Sequence, residues 1–132
     1  MRRLDPTTFV FTRQLAVGDI DEAAAQGIRL IVNNRPDGEE PGQPLSADIE
    51  SAARAAGLDF RHIPVAGGFA PERIEAMAQA LEQGPVLAFC RSGTRSAFLW
   101  ALARARLGAP AEESVAAAAA AGYDLGPIRA WL

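Results

Sequence analysis

The chain alternates two patterns. Short runs of large aliphatic residues with strand-like spacing are separated by alanine-rich segments whose apolar positions recur at helical spacing. Leu15-Ala16-Val17-Gly18 reads as a short first strand. Asp19 with Glu22 three residues later has the spacing of a capping box, opening a helix that Gly27 closes. Arg29 to Asn33 is an apolar strand, and the polar stretch 34–45, punctuated by Pro36, Gly38, Pro41, Gly42 and Pro44, is a long loop. Ser46 stands at the N-cap of a second helix with Ile49, Ala52, Ala53 and Ala56 on one face and Gly57 at its end. Phe60 to Val65 alternates like a strand and is broken by Ala66-Gly67-Gly68-Phe69. Pro71 suits the first turn of a third helix that turns Ile74, Met77, Ala78 and Leu81 inward. Pro85 to Phe89 is the most continuous apolar run, as a strand covered on both faces requires. Helices follow over 96–107, stopped by Gly108-Ala109-Pro110, and over 112–121, with a short final one in the tail 125–132.

This order of elements predicts an α/β fold with a central, mostly parallel sheet flanked by helices. The length of 132 residues predicts a single domain spanning 1–132. With 49% hydrophobic and 22% charged residues, the composition is that of a soluble globular protein. The net charge of -3 argues against nucleic-acid binding, which needs a basic face. One cysteine and one histidine leave no internal disulfide and no zinc site unless two chains share it, and no cofactor is expected. The N-terminus is not a signal peptide, and no apolar run is long enough to span a bilayer. A cytoplasmic location with a reduced thiol is the resulting expectation; the oligomeric state is left open.

The chemistry concentrates after Phe89. Cys90-Arg91-Ser92-Gly93-Thr94-Arg95-Ser96 joins the most buried strand to a helix, where ligands bind in parallel sheets. A chain reversing there turns successive N–H groups inward as an anion nest beside the positive end of the helix dipole. Gly93 supplies the backbone freedom such a loop needs. The same field favours the thiolate, making Cys90 a nucleophile. Arg95 has the planar fork to bind an oxyanion, the hydroxyls of Ser92 and Ser96 are donors for the thiolate, and Arg91 forms a positive rim. A lone cysteine after an apolar strand is most often a small buried hydrophobe; the whole run through Ser96 overrides that reading here.

The loop resembles two related chemistries. Its six-residue length, with four residues between Cys90 and Arg95, is similar to the rhodanese-like sulfurtransferases. Its Arg95-Ser96 ending is similar to the cysteine-dependent phosphatases, with one residue fewer. Val17-Gly18-Asp19-Ile20, the string from Ile31 to Glu39, and His62-Ile63-Pro64-Val65 look like the dual-specificity phosphatase layout. Together they resemble the beta-lactamase hydrolase-like, phosphatase-like domain family (domain of unknown function 442) over about residues 12–123. The resemblance implies a protein-tyrosine/dual-specificity phosphatase-like fold. Members of that family have also been labelled sulfur transferases, and the domain occurs fused to a metallo-beta-lactamase-like domain of the sulfide-oxidising kind.

The resemblance implies a cysteine hydrolase first. Cys90 attacks phosphorus while Arg95 and the loop residues Arg91, Ser92, Gly93, Thr94 and Ser96 bind the oxygens. The general acid of that mechanism is absent from Ala66–Phe69, which leaves Asp37 as the substitute; its bland role is turn former beside Gly38. Arg35 extends the anion pocket or, equally, pairs with Glu39. The first alternative is sulfur transfer through a Cys90 persulfide, which needs no general acid and suits the shorter loop. The second is a non-catalytic oxyanion or phosphoprotein-binding module. The expected partner is a small phosphorylated or sulfane-sulfur substrate, or a phosphoprotein. His62, Phe98 and Trp100 read as structural residues.

Overall fold

The computed structural model describes all 132 residues. A five-stranded sheet runs in the order β1-β2-β5-β3-β4, formed by β1 (Arg2–Asp5), β2 (Thr8–Val10), β3 (Leu30–Asn33), β4 (Asp59–His62) and β5 (Val86–Phe89). Only the β1–β2 pair is antiparallel. The central strand is β5, as its unbroken apolar run requires. Val86 and Ala88 face one core, Leu87 and Phe89 the other, and all four are buried. Helices α1 (Val17–Ala25) and α2 (Ser46–Ala55) cover one face, whose core contains Ile20, Ile31, Ile49, Phe60 and Phe89. Helices α3 (Pro71–Leu81), α4 (Thr94–Arg106) and α5 (Ala111–Ala120) cover the other, around Val10, Val32, Met77, Leu99 and Trp100. A 3₁₀ turn over Gly126–Trp131 ends the chain. No helix is long and apolar enough to cross a membrane.

Three local expectations need correction. Residues 15–18 are not a strand: α1 begins at Val17 with Ala16 as N-cap, and Asp19 occupies the third helical position. Its Oδ2 reaches back to accept from the Ala16 N–H at 2.8 Å, so the carboxylate caps the helix from inside it. The expected partner Glu22 instead accepts from Gln26. The strand beside β5 is β2, held in a hairpin by Asp5-Pro6-Thr7, where Asp5 Oδ1 accepts from the Thr7 N–H at 2.9 Å.

The second correction is at α2, where Ser46 is the first helical residue and Leu45 the N-cap. The third is at α4, which starts two residues early, on a Gly93 N-cap. Strand β4 stops at His62 because Pro64 offers no N–H, although Ile63 and Val65 still donate to the carbonyls of Asn33 and Asn34.

Candidate active site

Cys90 follows β5 directly, and its side chain is buried beneath the loop that opens α4. Gly93 holds φ +95°, which turns its N–H back toward the sulfur, and the N–H donates to Cys90 Sγ at 3.1 Å. Burial pushes the thiol pKa up, but the backbone N–H groups of Ser96, Ser92 and Gly93 outweigh it and hold the pKa below the ordinary thiol value. The anion nest expected from sequence is therefore built around the Cys90 sulfur, and it favours the charged form.

Ser96 serves two partners. Its hydroxyl donates to Asn34 Oδ1 at 2.8 Å. Asn34 cannot turn over to release it, because its Nδ2 must face the carbonyl it donates to, Ile63 O, at 3.0 Å. The Ser96 side chain also helps to hold the Cys90 pKa down, as expected, while its hydroxyl is bound to Asn34. Ser92 Oγ sits 3.4 Å from Thr94 Oγ1, and both residues are exposed on the outer side of the loop with Arg91.

Arg95 does not lie free over the nest. Nη1 and Nη2 engage the two oxygens of Glu39 at 2.7 and 2.9 Å, and Nη1 also donates to the Val65 carbonyl at 3.0 Å. Arg35, fully buried, braces the same carboxylate. Its Nε donates to Glu39 Oε1 at 2.8 Å, while Nη2 donates to Glu40 and Nη1 to Gln14. Glu39, Glu40, Arg35, Arg91 and Arg95 line a pocket of about 460 Å³ beside the cysteine loop. A larger pocket of about 610 Å³, between α3, α4 and the C-terminal turn, is mainly apolar and takes no residue from that loop.

Asp37, the expected general acid, is not among the lining residues. Its Oδ1 accepts from the Ser46 N–H at 2.8 Å, so it caps α2 from the preceding loop, the role expected of Ser46 itself. The carboxylates that do face the pocket are ionised. The Arg95 hydrogen bonds, helped by Arg35, hold Glu39 down to about 2 from 4.5, and Arg35 likewise holds Glu40 low. His62 Nε2 lies 3.0 Å from the Arg35 carbonyl, a structural contact. Trp100 is core, its indole N–H donating to Asp5.

The Glu39 shift has a measurable consequence. The folded pKa is depressed, so the stabilisation is present above about pH 4.5 and is lost as the pH falls toward 2. At about 1.4 kcal/mol per pH unit the ceiling is about 3 kcal/mol, and screening of a partly exposed side chain reduces it to about 1–2 kcal/mol. Urea unfolding of Glu39→Gln should show that deficit at pH 7 and convergence with the parent near pH 2. A constant gap across the range would remove the ion pair as its cause.

Sequence reasoning missed Asn34 and Tyr123. Asn34 is wholly buried and joins three elements: its backbone N–H donates to Phe89 O, its amide to Ile63 O, and it accepts from Ser96. An asparagine at the end of an apolar strand was the available signal. Tyr123 lies behind the loop and donates to Ser92 O at 3.2 Å.

The family described as "Beta-lactamase hydrolase-like protein, phosphatase-like domain" matches residues 1–107. The chain belongs to this family. A beta-lactamase hydrolase-like protein of Agrobacterium fabrum is 45% identical over 98 residues, which are 70% of this chain and 22% of that protein. The phosphatase-like domain thus spans about a fifth of that curated relative. The structure of a candidate phosphatase from Neisseria meningitidis superposes with a TM-score of 0.83 at 38% identity, covering 98% of this chain and 93% of the other. The active form of Tk-PTP superposes at 0.73 with 20% identity, covering 98% and 90%, and shares the fold. Fold and family together place the phosphatase-like domain in the cysteine-based phosphatase-like superfamily, an enzyme type of which the loop from Cys90 to Arg95 is the expected centre.

Proposed function

We propose that this phosphatase-like domain transfers sulfur, with Cys90 carrying the sulfane sulfur as a persulfide. The observation that carries this reading is the state of the carboxylates at the pocket. Glu39 and Glu40 are both held ionised by arginine, and Asp37 is spent on α2, so no acid stands ready to protonate an alkoxide. Sulfur transfer avoids that requirement. The Cys90 thiolate attacks the outer sulfur of a donor such as thiosulfate, the S–S bond breaks, and sulfite leaves as a stable dianion, leaving a Cys90 persulfide. An acceptor thiolate then attacks the outer sulfur and restores the Cys90 thiolate. The amides of Ser92, Gly93 and Ser96, which already favour a charged sulfur, stabilise the persulfide in the same place.

The second reading is phosphate-ester hydrolysis, supported by the 38% identical candidate phosphatase of Neisseria meningitidis. In that mechanism Cys90 attacks phosphorus and Arg95 must exchange Glu39 for the phosphoryl oxygens. Without a general acid it forgoes roughly 10²–10⁴-fold on poor leaving groups.

Thiosulfate–cyanide and p-nitrophenyl phosphate assays on the same preparation separate the two. The expected result is thiosulfate turnover with a one-sulfur mass increase on Cys90, both absent from Cys90→Ser. Phosphate-ester turnover with no thiosulfate activity and no sulfur adduct would overturn sulfur transfer in favour of the hydrolase.

A further inference from the structure

The peptide between Ser92 and Gly93 is held from both sides. A trans peptide is planar, and its C=O and N–H point in opposite directions. On one side the Ser92 carbonyl accepts from Tyr123 Oη at 3.2 Å. On the other the Gly93 N–H donates to Cys90 Sγ at 3.1 Å. One rigid plane therefore connects the phenol to the thiolate. If the plane rotated, the carbonyl would face the sulfur, and an acceptor would replace a donor beside a negative charge.

The phenol is itself fixed. Gly122, at φ +94°, turns the chain out of α5, and the Tyr123 N–H donates to Ala118 O at 2.8 Å. The Arg2 guanidinium stands 5.8 Å from the ring centroid and donates to Ala121 O at 2.8 Å, so β1 closes the other side. A Cβ on Gly93 would lie 2.1 Å from Tyr123 Oη, which shows how closely the phenol is packed on the loop.

We propose that Tyr123 is a positioning residue for Cys90: its hydroxyl holds the Ser92–Gly93 peptide in the one orientation that points the Gly93 N–H at the thiolate. The role holds for phosphate and sulfur chemistry alike, because it concerns the nucleophile before any substrate arrives. The ionisable groups coupled to the thiolate are Arg95, from α4, and Tyr123 itself. Burial and the Cys90 charge raise the pKa of Tyr123, so Tyr123→Phe removes a hydrogen bond and no charge at neutral pH.

The test is the pH dependence of iodoacetamide alkylation at Cys90, with thiolate absorbance as a second readout. Loosening this charge-assisted donor should raise the thiol pKa by about one unit. Alkylation below that pKa should then slow by up to about tenfold. Circular dichroism and thermal melting identify a variant that has merely lost its fold. Replacing Tyr123 with 4-aminophenylalanine, which keeps a donor at the same point, should return the profile toward the parent. An unchanged alkylation profile in a folded Tyr123→Phe variant would overturn the proposal, as would failure of the amino analogue to restore a shifted one.

Discussion

Gly93→Ala is expected to disable the site and to lower stability by about 2–5 kcal/mol, read as a large drop in the urea midpoint and loss of rapid Cys90 alkylation at neutral pH. Two costs combine. The backbone at φ +95° lies where residues with a Cβ cost about 1–2 kcal/mol. The new methyl would also meet Tyr123 Oη at 2.1 Å and Val10 Cγ1 at 2.7 Å, a collision in packed surroundings worth typically about 1–3 kcal/mol. Relief by backbone movement carries the Gly93 N–H off the sulfur, so stability and thiolate are lost together. Adding Tyr123→Phe removes the nearest atom and should restore part of the stability without restoring the thiol pKa. A Gly93→Ala variant with the parent's melting temperature and alkylation profile would contradict the loop geometry described above.

Asn34→Leu should cost about 1–3 kcal/mol while moving the thiol the other way. The shape is nearly conserved, but Ile63 O loses its buried partner, worth about 1–3 kcal/mol when left unsatisfied. Released from Asn34, the Ser96 hydroxyl is free to donate wholly to the Cys90 sulfur. The variant should therefore unfold at lower urea and titrate at lower pH than the parent, a combination that general loosening of the loop does not produce. Alkylation across pH 5–8 in the still-folded variant measures it; a raised thiol pKa would show that Asn34 acts on the thiolate by holding the loop and not by occupying Ser96.

The opposite shifts expected for Asn34→Leu and Tyr123→Phe reflect two different controls on one sulfur. Neither residue is near Cys90 in the chain, and that distance explains what was legible in the sequence. The geometry of the cysteine loop was readable because its parts are local: an apolar strand, a cysteine, a glycine and a helix start impose one geometry within seven residues. The central position of β5 was readable for the same reason, since four consecutive buried residues fit only a strand covered on both faces. Asp37 was misjudged because a carboxylate in a long polar loop has no local signature that separates acid from cap. The hairpin of β1 and β2 was missed because its strands, Arg2-Arg3-Leu4-Asp5 and Thr8-Phe9-Val10, lack the continuous apolar run that marks β3 and β5, and the apolar Leu15 and Val17 drew the strand to the wrong side of Arg13.

By itself, then, the chain specified the alternation of strands and helices, the inward face of each helix, and a thiol placed in an anion nest. Only the tertiary structure decided what surrounds that thiol. Packing brings Glu39 onto Arg95, seals Arg35 beneath two carboxylates, and sets Asn34 and Tyr123 on either side of the loop. Apart from the local pairs of Arg35, these are contacts across 30 to 62 residues, fixed by the order of strands in the sheet. Because a thiolate is governed by the donors and charges within a few ångströms of it, its reactivity is set by these distant residues as much as by its own loop.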